Sequence, residues 1–234
     1  MNKPTQLIFP FQINQKASFD SFFCSPDNLS LMTRLADIVE SKKNHELIIH
    51  GENGSGKSYL MQAICNELSL AGKQFAFIPM NKVIKMGAEI FQNLASLDAV
   101  CVDDMQLMLA NEDWETVLFN LINECQQSNC SLMLSFGGTQ QLEENTKLPD
   151  LLSRFKRMEF IALHAVQDEF FGEAIHFVAQ QLDIKIEKAE LEFLLKHQAR
   201  IFSLLVENII NLDKQAASLK RKITIPLIKE ILNL

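Results

Sequence analysis

The stretch that decides the fold is ELIIHGENGSGKSYLMQAIC, residues 46–65. Within it, Gly51-Glu52-Asn53-Gly54-Ser55-Gly56-Lys57-Ser58 satisfies the pattern G-x-x-x-x-G-K-[ST] at every position. The residues before it, ELIIH, form an apolar run of strand length, and YLMQAICNELSLAG after it repeats apolar residues at helical spacing as far as Gly72. Strand, glycine loop and helix in that order are the context in which this pattern holds phosphate. The glycines let backbone N–H groups curl around phosphate oxygens, and the helix N-terminus adds positive potential. Gly51, Asn53, Gly54, Ser55 and Gly56 therefore read as the cradle. ADP or ATP is the expected ligand, with Lys57 reaching the β and γ phosphates and the Ser58 hydroxyl ligating Mg²⁺.

Outward from this loop the chain alternates short strands and helical patterns. QFAFIP (74–79), DAVCVDD (98–104), SLMLSF (131–136) and RMEFIAL (157–163) read as four further strands. Between them, NKVIKMGAEIFQNLASL (81–97) reads as a helical connection, NEDWETVLFNLINECQQ (111–127) as a helix, and KLPDLLSRF (147–155) as a short helix after Pro149. Strands this apolar, joined by crossovers, predict an α/β fold with a five-stranded parallel sheet covered by helices on both faces. After Leu163 the strand signal stops. AVQDEFFGEAIHFVAQQL, EKAELEFLLKHQ, ARIFSLLVENIINLDKQAASLK and TIPLIKEILNL all carry the 3.6-residue period, which predicts a small all-helical subdomain. The expected division is an N-terminal arm over 1–17, an α/β nucleotide domain over 18–163 and a helical subdomain over 164–234.

The second half of a phosphate site stands in Val100-Cys101-Val102-Asp103-Asp104. A carboxylate leaving the C-terminal end of a buried parallel strand lies where ligands bind in such sheets. Asp103 is expected in the Mg²⁺ shell, and Asp104 where a base polarises water. A pair of aspartates at a strand end also serves as a turn or a helix cap, so this reading leans on the glycine loop that precedes it. Two arginines are candidates to act on phosphate: Arg154 as a finger presented to a neighbouring subunit, and Arg200 folding back from the helical tail.

Composition limits the partners. The net charge is −7, whereas a protein that grips a phosphate backbone is usually basic. The five cysteines show no CxxC pair and each lies in or beside an apolar run, which predicts buried thiols in a reducing compartment rather than metal ligands or disulfides. No uninterrupted apolar run approaches the roughly 18 residues of a membrane helix. The start has no secretory cleavage pattern, so the chain is expected to be cytoplasmic and away from membranes.

Taken together, these residues resemble the AAA+ ATPases of the DnaA branch. The features that carry the resemblance are the P-loop, Asp103-Asp104, Ser135 at the end of the fourth strand, LLSRF, and a helical lid bearing Arg200. The aromatic opening SFDSFFCSPDN (18–28) is similar to the segment before the nucleotide domain of that family. The resemblance implies that Phe19, Phe22 and Asn28 lie near adenine and that Ser135 belongs to the catalytic set; plain core packing accounts for the two phenylalanines equally well. In DnaA a helix-turn-helix DNA-binding domain follows the lid, and none is expected here after TIPLIKEILNL. The chain resembles instead the Hda group of this family, the regulatory inactivators of DnaA, through its QL-x-(L/F)-P start, LPDL-x-SR and the ending from Arg221 to Leu234.

That resemblance gives the apolar leader a meaning. In Hda-like proteins such a peptide docks on the β sliding clamp, and here it is Gln6-Leu7-Ile8-Phe9-Pro10. Phe9 stands where leucine is commoner in the group. An extended peptide stiffened by proline loses little entropy on docking, with Leu7 and Phe9 as anchors and Gln6 as a directional amide. The competing reading is an arm packed on its own domain. The resemblance further implies a partner, DnaA, whose ATP hydrolysis Arg154 stimulates, with DNA met only through the clamp and with the chain itself a weak ATPase at most. A homodimer that hides Arg154 is compatible with the sequence. The alternative is a self-assembling DnaA-like ATPase that remodels DNA or loads a helicase. Lysines in 214–222 read as solvated helix charge ahead of a DNA contact.

Overall fold

A computed structural model describes residues 13–138, 142–199 and 201–234. By internal contacts the chain forms two compact units. Residues 26–164, with the described residues 13–19, make the first; Asp20–Ser25 and Ala165–Leu234 make the second.

The first unit is built on five parallel strands, β1 (Glu46–Gly51), β2 (Phe75–Pro79), β3 (Ala99–Asp103), β4 (Ser131–Gly137) and β5 (Glu159–Ala162), in the order β2-β3-β4-β1-β5. In that order β1, which delivers the glycine loop, lies beside β4. Their register sets Ile49 against Ser135 and Gly51 against Gly137. Strands with apolar residues at nearly every position can be buried on both faces. One face meets α2 (Lys57–Leu70), through Leu60, Met61, Ile64 and Leu68, and α1 (Leu29–Glu40) packs against α2. The other face, with Ile48, Ile78, Val100, Val102, Leu132 and Leu134, packs on α3 (Met80–Val83), α4 (Glu112–Ser128) and α6 (Pro149–Phe155), and the short α5 (Leu142–Asn145) precedes α6.

Local signals account for the helix boundaries. Asn111 caps α4 by accepting from the backbone N–H groups of Asp113 and Trp114, and Glu112, Asp113 and Glu115 place negative charge in the first turn. Pro149 opens α6, where its missing N–H costs nothing. Gly72, at φ +72°, closes the end of α2 as its position in the sequence predicts.

Two expectations change. Residues 81–97 are not one helix: α3 stops at Val83 and two single 3₁₀ turns follow, Ala88–Phe91 and Leu94–Ser96. Gly87 (φ +97°) and Asn93 (φ 62°) take left-handed conformations that break the helix, while Phe91 and Leu94 still find the core. Their helical spacing belongs to a chain of buried turns. Conversely, α1 carries a helical stripe, Leu31, Leu35, Ile38 and Val39, which the aromatic segment before it obscures in the sequence.

In the second unit, α7 (Phe171–Gln181), α8 (Lys188–His197), α9 (Phe202–Ser218) and α10 (Ile225–Leu232) enclose their own core. It is built from Phe171, Ile175, Leu191, Leu194, Leu205, Ile209, Leu212 and Leu227, with Phe171 edge-on to Phe202 at 5.8 Å. Phe23 joins this unit through an edge contact with Phe177. Among the described residues no helix is long and apolar enough to cross a membrane. Cys65, Cys101, Cys125 and Cys130 are buried free thiols, whereas Cys24 is only half-buried.

Candidate nucleotide site

The glycine loop runs from the end of β1 into α2. Gly54 (φ 82°) and Gly56 (φ 99°) adopt left-handed conformations that a side chain would strain, and this lets the loop turn back on itself. Gly51 has a different reason: a Cβ there would strike the carbonyl of Leu163. Lys57, only 5% exposed, donates from Nζ to the carbonyl oxygens of Gly51 (3.0 Å) and Glu52 (2.7 Å). Burial lowers the pKa of this amine, and the carboxylates of Asp104 and Asp103 oppose that shift. Its charge is held by groups that a phosphate can replace.

Beside it, β3 ends in Asp103, which is 2% exposed. The Ser135 hydroxyl donates to Asp103 Oδ1 (2.5 Å) and accepts from the Asp104 backbone N–H (2.8 Å), so β4 fixes both aspartates at once. Burial raises the pKa of Asp103, while hydrogen bonds from Ser135 and Ser58 pull it down. The two expected metal ligands come from elements that pack together: Ser58 from the first turn of α2 and Asp103 from the end of β3. Asp104 sits at φ 61°, and this left-handed turn swings its side chain away from the strand direction.

Gln106 is a member of the site that sequence reasoning missed. Its Nε2 donates to Asp104 Oδ1 (2.9 Å) and its Oε1 accepts from the Gly137 N–H (2.9 Å). Its only trace in the sequence is one polar residue inside the apolar run MQLML. Gly137 closes the circle: a Cβ on it would lie 2.9 Å from Asn53 Oδ1, 3.2 Å from Gln106 Nε2 and 3.3 Å from Lys57 Cε.

These residues fit a nucleotide phosphate. The Ser55 hydroxyl, buried inside the loop, has no hydrogen-bond partner among the described residues, and buried polar atoms are seldom left so. Lys57, Ser55 and the loop N–H groups are donors suited to phosphate, and the carboxylates of Asp103 and Asp104 are oxygen ligands of the kind a hard divalent cation takes.

The other candidates fall elsewhere. Asn28 is 2% exposed and grips the main chain of His164 with both ends of its amide: Nδ2 donates to the carbonyl and Oδ1 accepts from the N–H, each at 2.9 Å. Phe19 is half-buried in the first unit and Phe22 half-buried in the second, so the two are not gathered within one unit. Arg154 lies on α6, its guanidinium 5.7 Å above the Phe119 ring. Among the described residues no carboxylate pairs with it, and its Nε is buried without a partner. It takes no part in the hydrogen bonds around Lys57, Asp103 and Asp104. Gln6, Leu7, Ile8, Phe9, Pro10 and Arg200 lie outside the described residues.

Residues 13–158 match the bacterial DnaA ATPase domain. The chain belongs to that family. Residues 168–232 match the Hda lid domain, so the DnaA-type ATPase core is joined to a lid of the Hda kind. The whole chain is similar in structure to domain III of the Thermotoga maritima replication initiation protein DnaA, with a TM-score of 0.79 at 18% identity over 95% of this chain and 98% of that one. It is similar to AMPPCP-bound DnaA from Aquifex aeolicus, with a TM-score of 0.67 at 20% identity over 87% of this chain and 67% of that one. The Thermotoga maritima RuvB Holliday junction branch migration motor gives a TM-score of 0.64 at 19% identity over 95% and 74% of the two chains. The fold is therefore AAA+, and membership of the DnaA family implies nucleotide binding and a place among DnaA-related replication proteins.

Proposed function

We propose that this DnaA-family protein regulates replication initiation by making DnaA hydrolyse its ATP. The leader Gln6-Leu7-Ile8-Phe9-Pro10 docks on the β sliding clamp, and Arg154 enters the nucleotide site of a DnaA molecule. ADP-bound DnaA is the inactive product, and re-initiation is prevented. The observation that carries this reading is the state of Arg154. A guanidinium stacked on an aromatic ring, without a carboxylate partner among the described residues and outside the hydrogen bonds of its own chain's phosphate loop, is available to a phosphate held by another molecule. A planar, permanently charged group suits the spread charge of a phosphoryl-transfer transition state.

In this reading the chain's own nucleotide, ADP or ATP, is held by the loop from Gly51 to Ser58. Ser58 and Asp103 hold Mg²⁺, and Asp104 and Ser135 occupy the positions for water activation and phosphate sensing. Within the first unit, Phe19 is the aromatic residue proposed to border the base. Bound nucleotide stabilises the fold by linkage, and the chain's own turnover is slow at most. The Lys57, Asp103, Asp104 and Ser135 network is nonetheless complete, and this favours a second reading in which the chain is itself an assembling ATPase that remodels DNA or loads a helicase. Gel filtration separates the two, since that reading requires assembly with ATP and not with ADP.

The direct test measures ATP hydrolysis by DnaA with this protein, with and without clamp loaded on DNA. Stimulation that depends on the loaded clamp, and that is lost when Leu7 and Phe9 are both replaced by alanine while the thermal melt stays the same, is the expected result. Hydrolysis by DnaA that is unchanged with all components present sinks the proposal.

A further inference from the structure

Two side chains of α4, one turn apart, bracket the helix that carries Arg154. Glu115 is fully buried, at 0% exposure, an unusual place for a carboxylate. It accepts hydrogen bonds from the backbone N–H groups of Ala110 (2.8 Å), Lys147 (2.9 and 3.0 Å) and Leu148 (2.7 Å). Leu148 is the residue that caps α6. Phe119 lies four positions on, so it shares a face of α4 with Glu115, and its ring lies under the Arg154 guanidinium. Glu115 thus ties down the chain where α6 begins, and Phe119 meets the charged tip near where α6 ends.

We infer that Glu115 and Phe119 are positioning residues for Arg154: the buried carboxylate sets the start and direction of α6, and the ring sets where the guanidinium points. The inference rests on the arginine's proposed role in DnaA hydrolysis and adds the device that aims it. Bonds from backbone N–H groups to a charged carboxylate are about twice as strong as neutral ones and are directional. A ring within about 6 Å of a guanidinium holds the cation without neutralising it, which a carboxylate partner would do. Glu115 also reaches Ala110, in the turn after Met105–Met108 that contains Gln106. The same carboxylate therefore joins the segment beside Asp104 to the segment that carries the arginine.

The test compares Glu115→Gln, Phe119→Leu and Phe119→Tyr with Arg154→Ala in the clamp-dependent DnaA hydrolysis assay, each well below its own Tm. In Glu115→Gln one acceptor oxygen becomes an amide that faces backbone donors. The maximal stimulated rate is expected to fall by about tenfold to a hundredfold, the cost of a misplaced catalytic group. The protein concentration for half-maximal stimulation should stay unchanged. Phe119→Leu should behave in the same way, and Phe119→Tyr, which keeps the ring, should restore the rate. Folded Glu115→Gln or Phe119→Leu protein with the wild-type maximal rate overturns the inference, as does a loss of rate that merely follows the folded fraction. If Glu115→Gln does not fold, the Phe119 pair decides. If Arg154→Ala itself stimulates normally, the proposed function fails and the aiming device fails with it.

Discussion

Lys57 and Arg154 are the two cations around which the first unit can be compared. Lys57 is embedded: its amine donates to two carbonyl oxygens, and Asp103 and Asp104 bear on its charge. Arg154 is held by packing instead, over the Phe119 ring and at the end of a helix whose start is fixed by Glu115. The first arrangement pre-forms a site for a ligand in the same chain, because the loop needs a stand-in for phosphate to keep a buried ammonium satisfied. The second keeps a charge in place without a carboxylate partner among the described residues, which is what the proposed function requires of it. One domain can hold a nucleotide and still reserve a cation for another, provided the two are stabilised by different kinds of contact.

The sharpest way to break this comparison is Arg154→Ala. It should lower the stimulated rate of DnaA hydrolysis by about 10³- to 10⁵-fold, the range for arginine fingers, and leave the chain's own affinity for ADP unchanged by calorimetry. Equal loss of both would mean that the two cations serve one site. Next comes Lys57→Ala, which removes a charged donor and should weaken ADP binding by about tenfold to a hundredfold. Retained affinity in that variant would show that the loop N–H groups suffice. Gly137→Ala tests the crowding around the first cation. The methyl group presses on Asn53, Gln106 and Lys57, all side-chain ends that can yield, so the cost should be about 1 kcal/mol in thermal unfolding, with weaker ADP binding.

The smallest effect belongs to an ion pair remote from both cations. Arg34 binds Glu159 on β5 with two hydrogen bonds, 2.8 and 2.7 Å, and these hold the Glu159 carboxyl below the ordinary glutamate range. A lowered carboxyl pKa stabilises the fold above that range, and the contribution is lost as the pH falls through the folded-state value. Both side chains are 38% exposed, so solvent screening limits the pair to under about 1 kcal/mol. Melting curves of wild type and Glu159→Gln should therefore differ slightly at neutral pH and converge in acid. A difference that persists in acid would assign the loss to packing.

Much of the architecture is legible in the order of the amino acids. The glycine loop, the apolar strands and the four helical patterns of the tail each carry a local signal, because strand period, helix period and loop conformation depend on neighbouring residues. The failures share one cause. The 81–97 segment has helical spacing, yet Gly87 and Asn93 bend it, and its apolar residues are buried by the sheet and α4 rather than by a helix face. Gln106 shows nothing locally that reports its hydrogen bonds to Asp104 and Gly137.

The sequence by itself determined the phosphate loop with Lys57 and Ser58, the acidic strand end at Asp103 and Asp104, and the change from an α/β unit to a helical one. Each rests on residues close together in the chain, where spacing and chemistry are enough. Only the tertiary structure decided which of three acidic residues in the first turn of α4 is buried. Glu112, Asp113 and Glu115 are alike as helix-start charges, and Glu115 alone meets the backbone donors of a loop more than thirty residues away. Such a contact is made by the packing of two helices on one sheet, and no local pattern encodes it.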